Sequence, residues 1–325
     1  MNCVIIVVFV HFVSCDLIDH HWEDFKKKHG KDFISQTEEL RRKSTFEKNK
    51  QLVLEHNDAA AEGIHSYNLT LNHLADVDKS RPHLARGLSG LLGSRHLPKE
   101  LKHRLEAPEE EIPEELDWRE RGFRTRSLDQ ADCGSCYAFT VAMALEAQVF
   151  KKNGTLYELS EQQLIDCSVL FGNLGCRGGS LRNTAKYLQR YHLLTRDKYP
   201  YKGKQSLCRL QALYNTEGVG VKTWGVLPYG DEVALKKAVA TVGPLAVSVN
   251  ANPDTFQLYH SGVYDDRSCD GSTLNHAMLL VGYTKHSWIL QNWWTSTWGQ
   301  GGFMHLKRGH NRCGVASYAV YLKIE

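Results

Sequence analysis

Residues 133–139 read Cys-Gly-Ser-Cys-Tyr-Ala-Phe, and they open an apolar stretch that ends at Asn153-Gly154. The apolar residues of this stretch share one side, which predicts a helix that begins at Cys136. A helix N-terminus favours an anion because its first N–H groups are unpaired and the helix dipole is positive there. Since the thiolate is the reactive form of cysteine, Cys136 is a candidate nucleophile. Two cysteines this close are also typical of a disulfide or a redox pair, and that alternative stays open at this point.

Three polar residues elsewhere in the chain supply the other groups that amide hydrolysis needs. His276 lies in an apolar, strand-like stretch, and a histidine can act first as a base and then as an acid. Asn292 stands between Gln291 and Trp293, where its side chain can orient an imidazole. Gln130 precedes Cys136 and carries an amide that can stabilise a developing oxyanion. Taken singly, each has an ordinary interpretation as a surface histidine, a strand-end asparagine or a loop glutamine.

The ordered set of motifs resembles the papain family of cysteine proteases. The signature Cys-Gly-Ser-Cys-Tyr is followed far downstream by the histidine and the asparagine, as in that family. Further matches in the same order lie at residues 117–119, 166–168, 175–179, 298–299 and 313–316. The resemblance implies that Cys136 attacks the carbonyl, that His276 carries the proton and that Asn292 fixes the tautomer. It also implies that Gln130 and the backbone N–H of Cys136 form the oxyanion hole.

The order of the predicted elements indicates an α+β fold. Helical patterns come first, at residues 136–152, 160–163 and 181–193, the second being a capping box. Strand patterns follow, at residues 244–251, 277–283, 288–294, 302–307 and 315–323. Helices first and strands later suggest two subdomains with a cleft between them. The resemblance implies a papain-like arrangement with a mainly helical left subdomain, a β-barrel-like right subdomain and a helical propeptide in front.

The chain divides into three predicted segments. The apolar stretch 4–13 has about half the length that a bilayer span needs. It fits the apolar region of a secretory signal, and residues 13–15 are small or moderate in size before the polar Asp16, so residues 1–15 are predicted to be a signal peptide. No Lys or Arg precedes that stretch, and a frayed strand is the alternative. Residues 16–111 are rich in charge and lack cysteine, which predicts a separate propeptide. Residues 112–325 hold seven of the nine cysteines and are predicted to be the mature peptidase domain.

The predicted propeptide carries a stripe of residues at helical spacing. Six of them lie within roughly a 100° arc of one helix face: Glu38, Arg42, Phe46, Asn49, Val53 and Asn57. The stripe resembles the ERFNIN motif of cathepsin L-like zymogens, with Val53 in the usual place of Ile. Asn72, Leu74 and Asp76 resemble the second propeptide motif. The resemblance implies an intramolecular inhibitor that fills the cleft until the linker at residues 80–115 is cut.

Apart from Cys136, six cysteines remain in the predicted mature domain, and their spacing leaves many pairings open. The resemblance implies the disulfides Cys133–Cys176, Cys167–Cys208 and Cys269–Cys313, with Cys136 free. A zinc site is the competing use of cysteine and histidine. No second closely spaced ligand pair complements Cys133 and Cys136, so neither a metal nor another cofactor is expected.

The resemblance also implies residues that bind the substrate. Gly178 and Gly179 would offer backbone hydrogen bonds to an extended peptide, and Trp298 would lie on the leaving-group side. The S2 pocket would be lined by Ser180, Leu181, Ser248, Leu274 and Tyr318. A phenol at the floor of that pocket shortens it, which predicts Val, Leu or Pro at P2 rather than Phe or Arg. Residues 179–208 contain no insertion that could form a loop across one end of the cleft. An unblocked cleft favours endopeptidase action.

Two residues depart from the family pattern: Tyr137 replaces the commoner Trp, and Trp293 stands where Ser is usual. Because strand neighbours point to opposite faces, Trp293 is predicted to face away from Asn292 and the site. Trp293 and Trp298 are nevertheless candidates to narrow the leaving-group side. A second hypothesis therefore stays open, in which the chain is a catalytically weak peptide-binding or inhibitory protein. A purely structural disulfide protein is the third, and it leaves the polar set unexplained.

Lysines and arginines number 40 and aspartates and glutamates 37, which gives a net charge of +3 at pH 7. So small a surplus makes nucleic acid and anionic membranes unexpected partners. The expected partners are polypeptide substrates, the chain's own propeptide and cystatin-like inhibitors, and the enzyme is expected to be a monomer. Two sequons, at Asn68 and Asn153, agree with a secretory route and a lysosomal or extracellular location.

Overall fold

A computed structural model describes residues 20–78, 112–214 and 216–324. The predicted signal peptide and most of the predicted linker lie outside the described residues. Within the described ranges, no helix combines the length and the apolar character that crossing a bilayer requires.

The propeptide begins with two helices, α1 (residues 20–29) and α2 (Gln36–Ala61). Helix α2 starts at the N-cap Ser35, whose side chain accepts a hydrogen bond from the backbone of Glu38 at 3.2 Å. The predicted stripe is the buried face of α2: Phe46 packs on the rings of Trp22 and Phe25 at 5.3 and 4.7 Å. Arg42, Asn49 and Val53 of the stripe are buried as well, so the prediction that one face of this helix meets a partner is confirmed, and Phe46 on that face holds the two helices together.

Helices make up the first half of the predicted mature domain. Their bounds are α3 Cys136–Asn153, α4 Glu161–Cys167, α5 Leu181–Arg190 and α6 Gln211–Tyr214, with 3₁₀ turns at Ser168–Phe171 and Gly175–Arg177. Helix α3 is the central one and is buried from Cys136 to Val149. Only half of the predicted capping box forms: Ser160 caps α4, but the Gln163 side chain bonds the carbonyl of His192 at 2.8 Å instead of reaching back.

The second half contributes most of a nine-stranded sheet. Its strands are β1 Tyr67–Leu69, β2 Leu116–Asp117, β3 Thr223–Val226, β4 Leu245–Val249, β5 Tyr259–Tyr264, β6 His276–Tyr283, β7 Ser287–Gln291, β8 Phe303–Lys307 and β9 Ala319–Lys323. Their order is β1-β5-β8-β7-β6-β4-β9-β3, with β2 beside β6, and among these described strands only β5 and β8 pair in parallel. Two helices, α7 Glu232–Thr241 and α8 Asp254–Gln257, and a 3₁₀ turn, Arg312–Gly314, connect them.

The α+β, papain-like class is confirmed, with one qualification on its second half. Among the described residues the sheet is an open path from β1 to β3 and does not close into a barrel. Its outermost strand, β1, belongs to the propeptide and pairs antiparallel with β5. The propeptide thus completes the sheet of the domain that it precedes.

Three disulfides join the described cysteines as the resemblance implied: Cys133–Cys176, Cys167–Cys208 and Cys269–Cys313. Among these cysteines only Cys136 is free, and it is buried. The Cys133–Cys176 bridge ties the loop before α3 to the 3₁₀ turn Gly175–Arg177, which precedes Gly178.

Candidate active site

Cys136 is the first residue of α3, and its N-cap Ser135 makes no side-chain capping bond. The backbone N–H groups of Cys136, Tyr137 and Ala277 all approach the sulfur. Burial nevertheless raises the pKa of the Cys136 thiol to about 12, and these three N–H groups only partly oppose it. Burial of the sulfur therefore opposes the thiolate that the start of α3 favours.

His276 is the first residue of β6 and is fully buried. Its Nε2 lies 2.7 Å from Asn292 Oδ1, which also accepts the backbone N–H of Trp293 at 2.8 Å. Since an amide oxygen only accepts, Nε2 carries the hydrogen and Nδ1 of the neutral ring is an acceptor. Nδ1 is buried without a hydrogen bond in this state. Burial lowers the pKa of His276 to about 4, against the opposing effect of Asn292.

Trp294 covers the histidine. Its ring stacks on the ring of His276 at a centroid distance of 4.8 Å and an interplanar angle of 29°. Trp294 is itself buried, with its edge against Trp298 and Phe256. The indole therefore shields the bond between His276 and Asn292 from water.

Gln130 lies buried just before the first turn of α3. Its Nε2 donates to the carbonyl of Cys133 at 3.0 Å, and its backbone N–H donates to the carbonyl of Trp293 at 3.0 Å. The hydroxyl of Tyr201 donates to the carbonyl of Gln130 at 2.7 Å and lies 3.1 Å from Ser135 Oγ. Tyr201 was missed by the sequence analysis, since no motif marks a tyrosine brought to this loop by tertiary packing.

The glycines predicted to bind substrate have a clear structural reason to be glycine. Gly178 has φ of 112°, a conformation that L side chains rarely adopt. A Cβ on Gly179 would lie 2.7 Å from the ring of Tyr137, whose hydroxyl donates to the carbonyl of Gly175 at 3.2 Å. Tyr137, in place of the commoner Trp, thus packs directly against Gly179, which is itself buried.

The residues predicted for the S2 pocket converge around Tyr318. Its hydroxyl accepts the backbone N–H of Arg182 at 3.1 Å, and its carbonyl accepts the backbone N–H of Ser248 at 2.9 Å. The hydroxyl also interacts with the side chain of Ser180. Leu181 is buried beside them, and Leu274 is half-buried against Gly314. These bonds hold the phenol of Tyr318 in one orientation.

Trp293 and Trp298, the two candidates to narrow the leaving-group side of the cleft, are both fully buried. Trp293 points away from Asn292 into the core, where it stacks on Phe139 at 5.6 Å. Trp298 donates its indole N–H to the carbonyl of Phe256 at 3.1 Å and packs on the ring of Tyr259 at 5.6 Å. Trp293 therefore does not line the leaving-group side, and contact between Trp298 and a substrate stays a prediction. Among the described residues, no cluster of three or more His, Cys, Asp or Glu could hold a metal ion.

Ala131, next to Gln130, has φ of 50° and offers a stability test. The left-handed conformation destabilises a folded alanine by about 1–2 kcal/mol, and glycine avoids this cost. Glycine also makes the unfolded chain more flexible, which lowers stability by about 0.4–1 kcal/mol. We expect Ala131→Gly to raise the free energy of unfolding by about 0.5–1 kcal/mol. Denaturant unfolding of the full chain measures it. Ala240→Gly, inside α7, should instead lower stability, and a loss at both positions would contradict the strain argument.

Comparisons with known proteins agree with this geometry. Residues 112–323 match the papain family cysteine protease model, and residues 22–81 match the cathepsin propeptide inhibitor domain model. The chain is 37% identical to cathepsin L of Sarcophaga peregrina, over 94% of this chain and 93% of that protein. It is 38% identical to cathepsin K of Mus musculus, over 95% and 94% of the two chains.

Among solved structures, digestive procathepsin L 3 from the larval midgut of Tenebrio molitor aligns with a TM-score of 0.84 and 32% identity, over 95% of this chain and 99% of that one. These similarities support a protease zymogen and not the weak peptide-binding alternative. The chain therefore belongs to the papain family of cysteine proteases, and it carries a cathepsin-type inhibitor domain as its own propeptide.

Proposed function

We propose that the chain is an endopeptidase in which Cys136 is the nucleophile, His276 transfers the proton, Asn292 orients the imidazole and Gln130 contributes to the oxyanion hole. The bond between His276 Nε2 and Asn292 Oδ1 at 2.7 Å carries this proposal. It fixes the tautomer in which Nδ1 can accept a proton, while Cys136 Sγ lies at the start of α3 beside the N–H of the residue after His276. A purely structural role would not explain why Nδ1 of this buried ring is left without a hydrogen bond.

The proposed reaction proceeds through a thioester. With the cleft open to water, the proton of Cys136 moves to His276 Nδ1, and the thiolate attacks the carbonyl carbon of the substrate. The oxygen that gains charge is stabilised by the side-chain amide of Gln130 and the backbone N–H of Cys136. His276 then protonates the leaving amine. Water, deprotonated by His276, attacks the thioester, and the carboxylic acid product leaves with the thiol restored.

The test combines labelling with turnover. The full chain is matured at acidic pH, the product masses are measured, and Cys136 is titrated with a thiol-directed epoxide while a fluorogenic peptide panel is hydrolysed. One equivalent of epoxide on Cys136 together with loss of turnover supports the proposal. Full labelling of an enzyme that never hydrolyses a peptide would contradict it, as would hydrolysis that survives complete labelling.

Contacts of the described propeptide support its role as an inhibitor held in cis. Its strand β1 pairs with β5 in the register Tyr67↔Gly262 and Asn68↔Ser261. A Cβ on Gly262 would lie 2.4 Å from the carbonyl oxygen of Ser66, so only glycine allows this approach. The propeptide therefore docks by adding a strand to an exposed edge, a mode in which main-chain hydrogen bonds supply much of the affinity.

Gln257 adds a second contact with the propeptide. Its Nε2 donates to the carbonyls of Leu74 and Val77 at 2.7 and 2.9 Å, and its own carbonyl accepts from Asn72 Nδ2 at 2.9 Å. This side chain thus holds the segment that resembles the second propeptide motif, directly before the linker that must be cut.

Gln257→Leu should weaken docking of the propeptide. It removes two hydrogen bonds worth about 0.5–1.5 kcal/mol each, so we expect the full chain to mature about tenfold faster at a fixed acidic pH. Gel or mass analysis of a time course measures the rate. Gln189→Leu, the same substitution on α5 beside Trp224, is the control and should mature at the wild-type rate. Equal rates for all three proteins would show that this contact does not hold the propeptide.

We propose that polypeptides bind in extended form along Gly178 and Gly179, with the P2 side chain above Tyr318 in a pocket completed by Ser180, Leu181, Ser248 and Leu274. Trp298 would lie on the leaving-group side. The hydrogen bond from Arg182 to the Tyr318 hydroxyl supports a fixed floor at this depth.

The P2 preference follows from that floor. We expect the wild-type enzyme to prefer Val, Leu or Pro at P2. Tyr318→Ala should deepen the pocket and raise kcat/KM for P2 Phe relative to P2 Val by about tenfold. That factor is typical of burying one or two additional methylene groups of the substrate. Profiling with a P2-varied peptide library measures this ratio. The exposed Tyr229→Ala is the control. A wild-type preference for Phe that Tyr318→Ala leaves unchanged would refute the assignment.

We also propose the segment boundaries: a signal peptide at residues 1–15, a propeptide at 16–111 and a mature domain at 112–325. A lysosomal or extracellular location and inhibition by cystatin-like proteins follow from the same proposal. Three disulfides among the described residues support an oxidising route of synthesis.

A further inference from the structure

Trp293 donates one indole N–H to two acceptors on different elements. Nε1 lies 3.1 Å from Thr140 Oγ1 on α3 and 3.0 Å from the carbonyl oxygen of Ala277 on β6. Thr140 follows Cys136 by one helical turn, on the same face of α3. Ala277 follows His276 directly in β6. A single donor therefore connects the helix that carries the nucleophile to the strand that carries the histidine.

The backbone of Trp293 contacts the two remaining polar residues of the site. Its N–H donates to Asn292 Oδ1 at 2.8 Å, the same oxygen that orients His276, and its carbonyl accepts the N–H of Gln130 at 3.0 Å. The indole ring stacks on Phe139 with an interplanar angle of 30° and has no exposed surface. Thus Trp293 is bonded to the surroundings of all four proposed catalytic residues without touching a substrate.

Such a bridge is suited to hold two elements at a fixed separation. The sulfur and the imidazole come from different layers of the fold, and proton transfer between them depends on a distance that changes if α3 slides along β6. A buried, bifurcated hydrogen bond resists that displacement because breaking it leaves polar atoms unsatisfied in an apolar interior. The ring alone would fill the same volume without this directional restraint.

We propose that Trp293 is a positioning residue, whose indole N–H ties α3 to β6 and thereby sets the separation of Cys136 Sγ and His276 Nδ1 in the open enzyme. This inference rests on the proposed function. It gives a purpose to a tryptophan that stands where the family usually has serine, and it assigns Thr140 a role as the acceptor on the helix.

The test separates positioning from core filling. Trp293→Phe keeps a stacked ring and removes the N–H, and Thr140→Val removes the acceptor at nearly constant volume. Trp288→Phe is the matched control, because Trp288 is equally buried and donates its N–H to Glu232 at 3.0 Å on the far part of the sheet. All variants are made in the full chain and matured with a trace of wild-type enzyme, which differs from them in mass.

The readout is the rate of alkylation of Cys136 between pH 4 and pH 9, followed by mass, alongside kcat and KM. A distorted pair stabilises the thiolate less, so Trp293→Phe should shift the acid limb to higher pH by about one unit and lower kcat about tenfold, with KM changed less than threefold. Thr140→Val should shift it in the same direction, and Thr140→Ser should return it toward wild type. Trp288→Phe should lower the melting temperature and leave the limb in place.

Profiles of Trp293→Phe and Thr140→Val that coincide with wild type would overturn the proposal, as would an equal shift in Trp288→Phe. If Trp293→Phe does not fold, Thr140→Val and its serine rescue decide alone. Failure of the proposed function is distinct: the wild-type enzyme would then show no labelling of Cys136 that is coupled to loss of turnover.

Discussion

Cys136→Ala is expected to lower kcat for peptide hydrolysis by about 10⁴- to 10⁶-fold, the loss typical of removing the nucleophile from a catalytic set that acts as a unit. Alanine cannot form the thioester, so only substrate binding and the oxyanion donors remain. The cost to folding should be small, since Cys136 is free and its sulfur forms no disulfide. The full-chain variant should therefore fold, stay unprocessed and retain its propeptide.

The measurement uses the variant released from its propeptide by a protease of another class and then repurified. Peptide hydrolysis is compared with wild-type enzyme treated in the same way, and thermal unfolding of both proteins shows that the fold is kept. Residual activity within tenfold of wild type would assign the chemistry to another group. A loss of activity that accompanies a collapsed melting temperature would instead report a folding defect, which Cys136→Ser, closer in polarity, would then separate from catalysis.

The part of the site that could be predicted from the sequence is the part encoded in local motifs. The start of α3 at Cys136 follows from the apolar pattern and its ending at Gly154, and the structure has both. The stripe on α2 followed in the same way from helical spacing. The disulfides could not be derived from spacing, because cysteine pairing depends on tertiary approach, and only the family resemblance implied them.

Other features depend on contacts that no local pattern encodes. Tyr201 reaches Gln130 from a loop far along the chain, and Thr140 is an unremarked helix residue until Trp293 bonds it. The half-formed capping box shows the same limit: Ser160 caps α4 as its sequence predicts, but Gln163 finds better partners across the fold. Sequence predicts which groups are present, and packing decides which of them meet.

Two opposing effects act on the Cys136 thiol, the start of α3 and the burial of the sulfur. A helix N-terminus favours a thiolate by a fraction of a charge, whereas full burial removes the hydration of a whole charge. Burial raises the pKa of Cys136 to about 12 and lowers that of His276 to about 4, and both shifts favour the neutral thiol and the neutral imidazole near pH 7. We therefore expect removal of the propeptide to change the ionisation of Cys136 as well as its accessibility.

The raised pKa of Cys136 predicts slow alkylation of the zymogen. At pH 7.5 iodoacetamide should modify the zymogen thiol at least about 10³-fold more slowly than the thiol of the mature enzyme. With a pKa near 12, the thiolate fraction of Cys136 at pH 7.5 is roughly 10⁻⁴ or less, against about one tenth for an ordinary cysteine. Intact zymogen is confirmed by mass at each time point, Cys136→Ala zymogen gives the background, and urea-unfolded zymogen gives the rate of an ordinary thiol.

The pH dependence distinguishes ionisation from restricted access. A steric barrier slows alkylation by the same factor at every pH, whereas a raised pKa makes the zymogen rate climb about tenfold per pH unit from pH 7 to pH 10, because the thiolate fraction does so. The mature enzyme should instead be flat over that range, since its thiolate is paired with the imidazolium and already formed at lower pH. A zymogen profile parallel to that of the mature enzyme would show that the propeptide inhibits by occlusion alone, with the ion pair preformed beneath it.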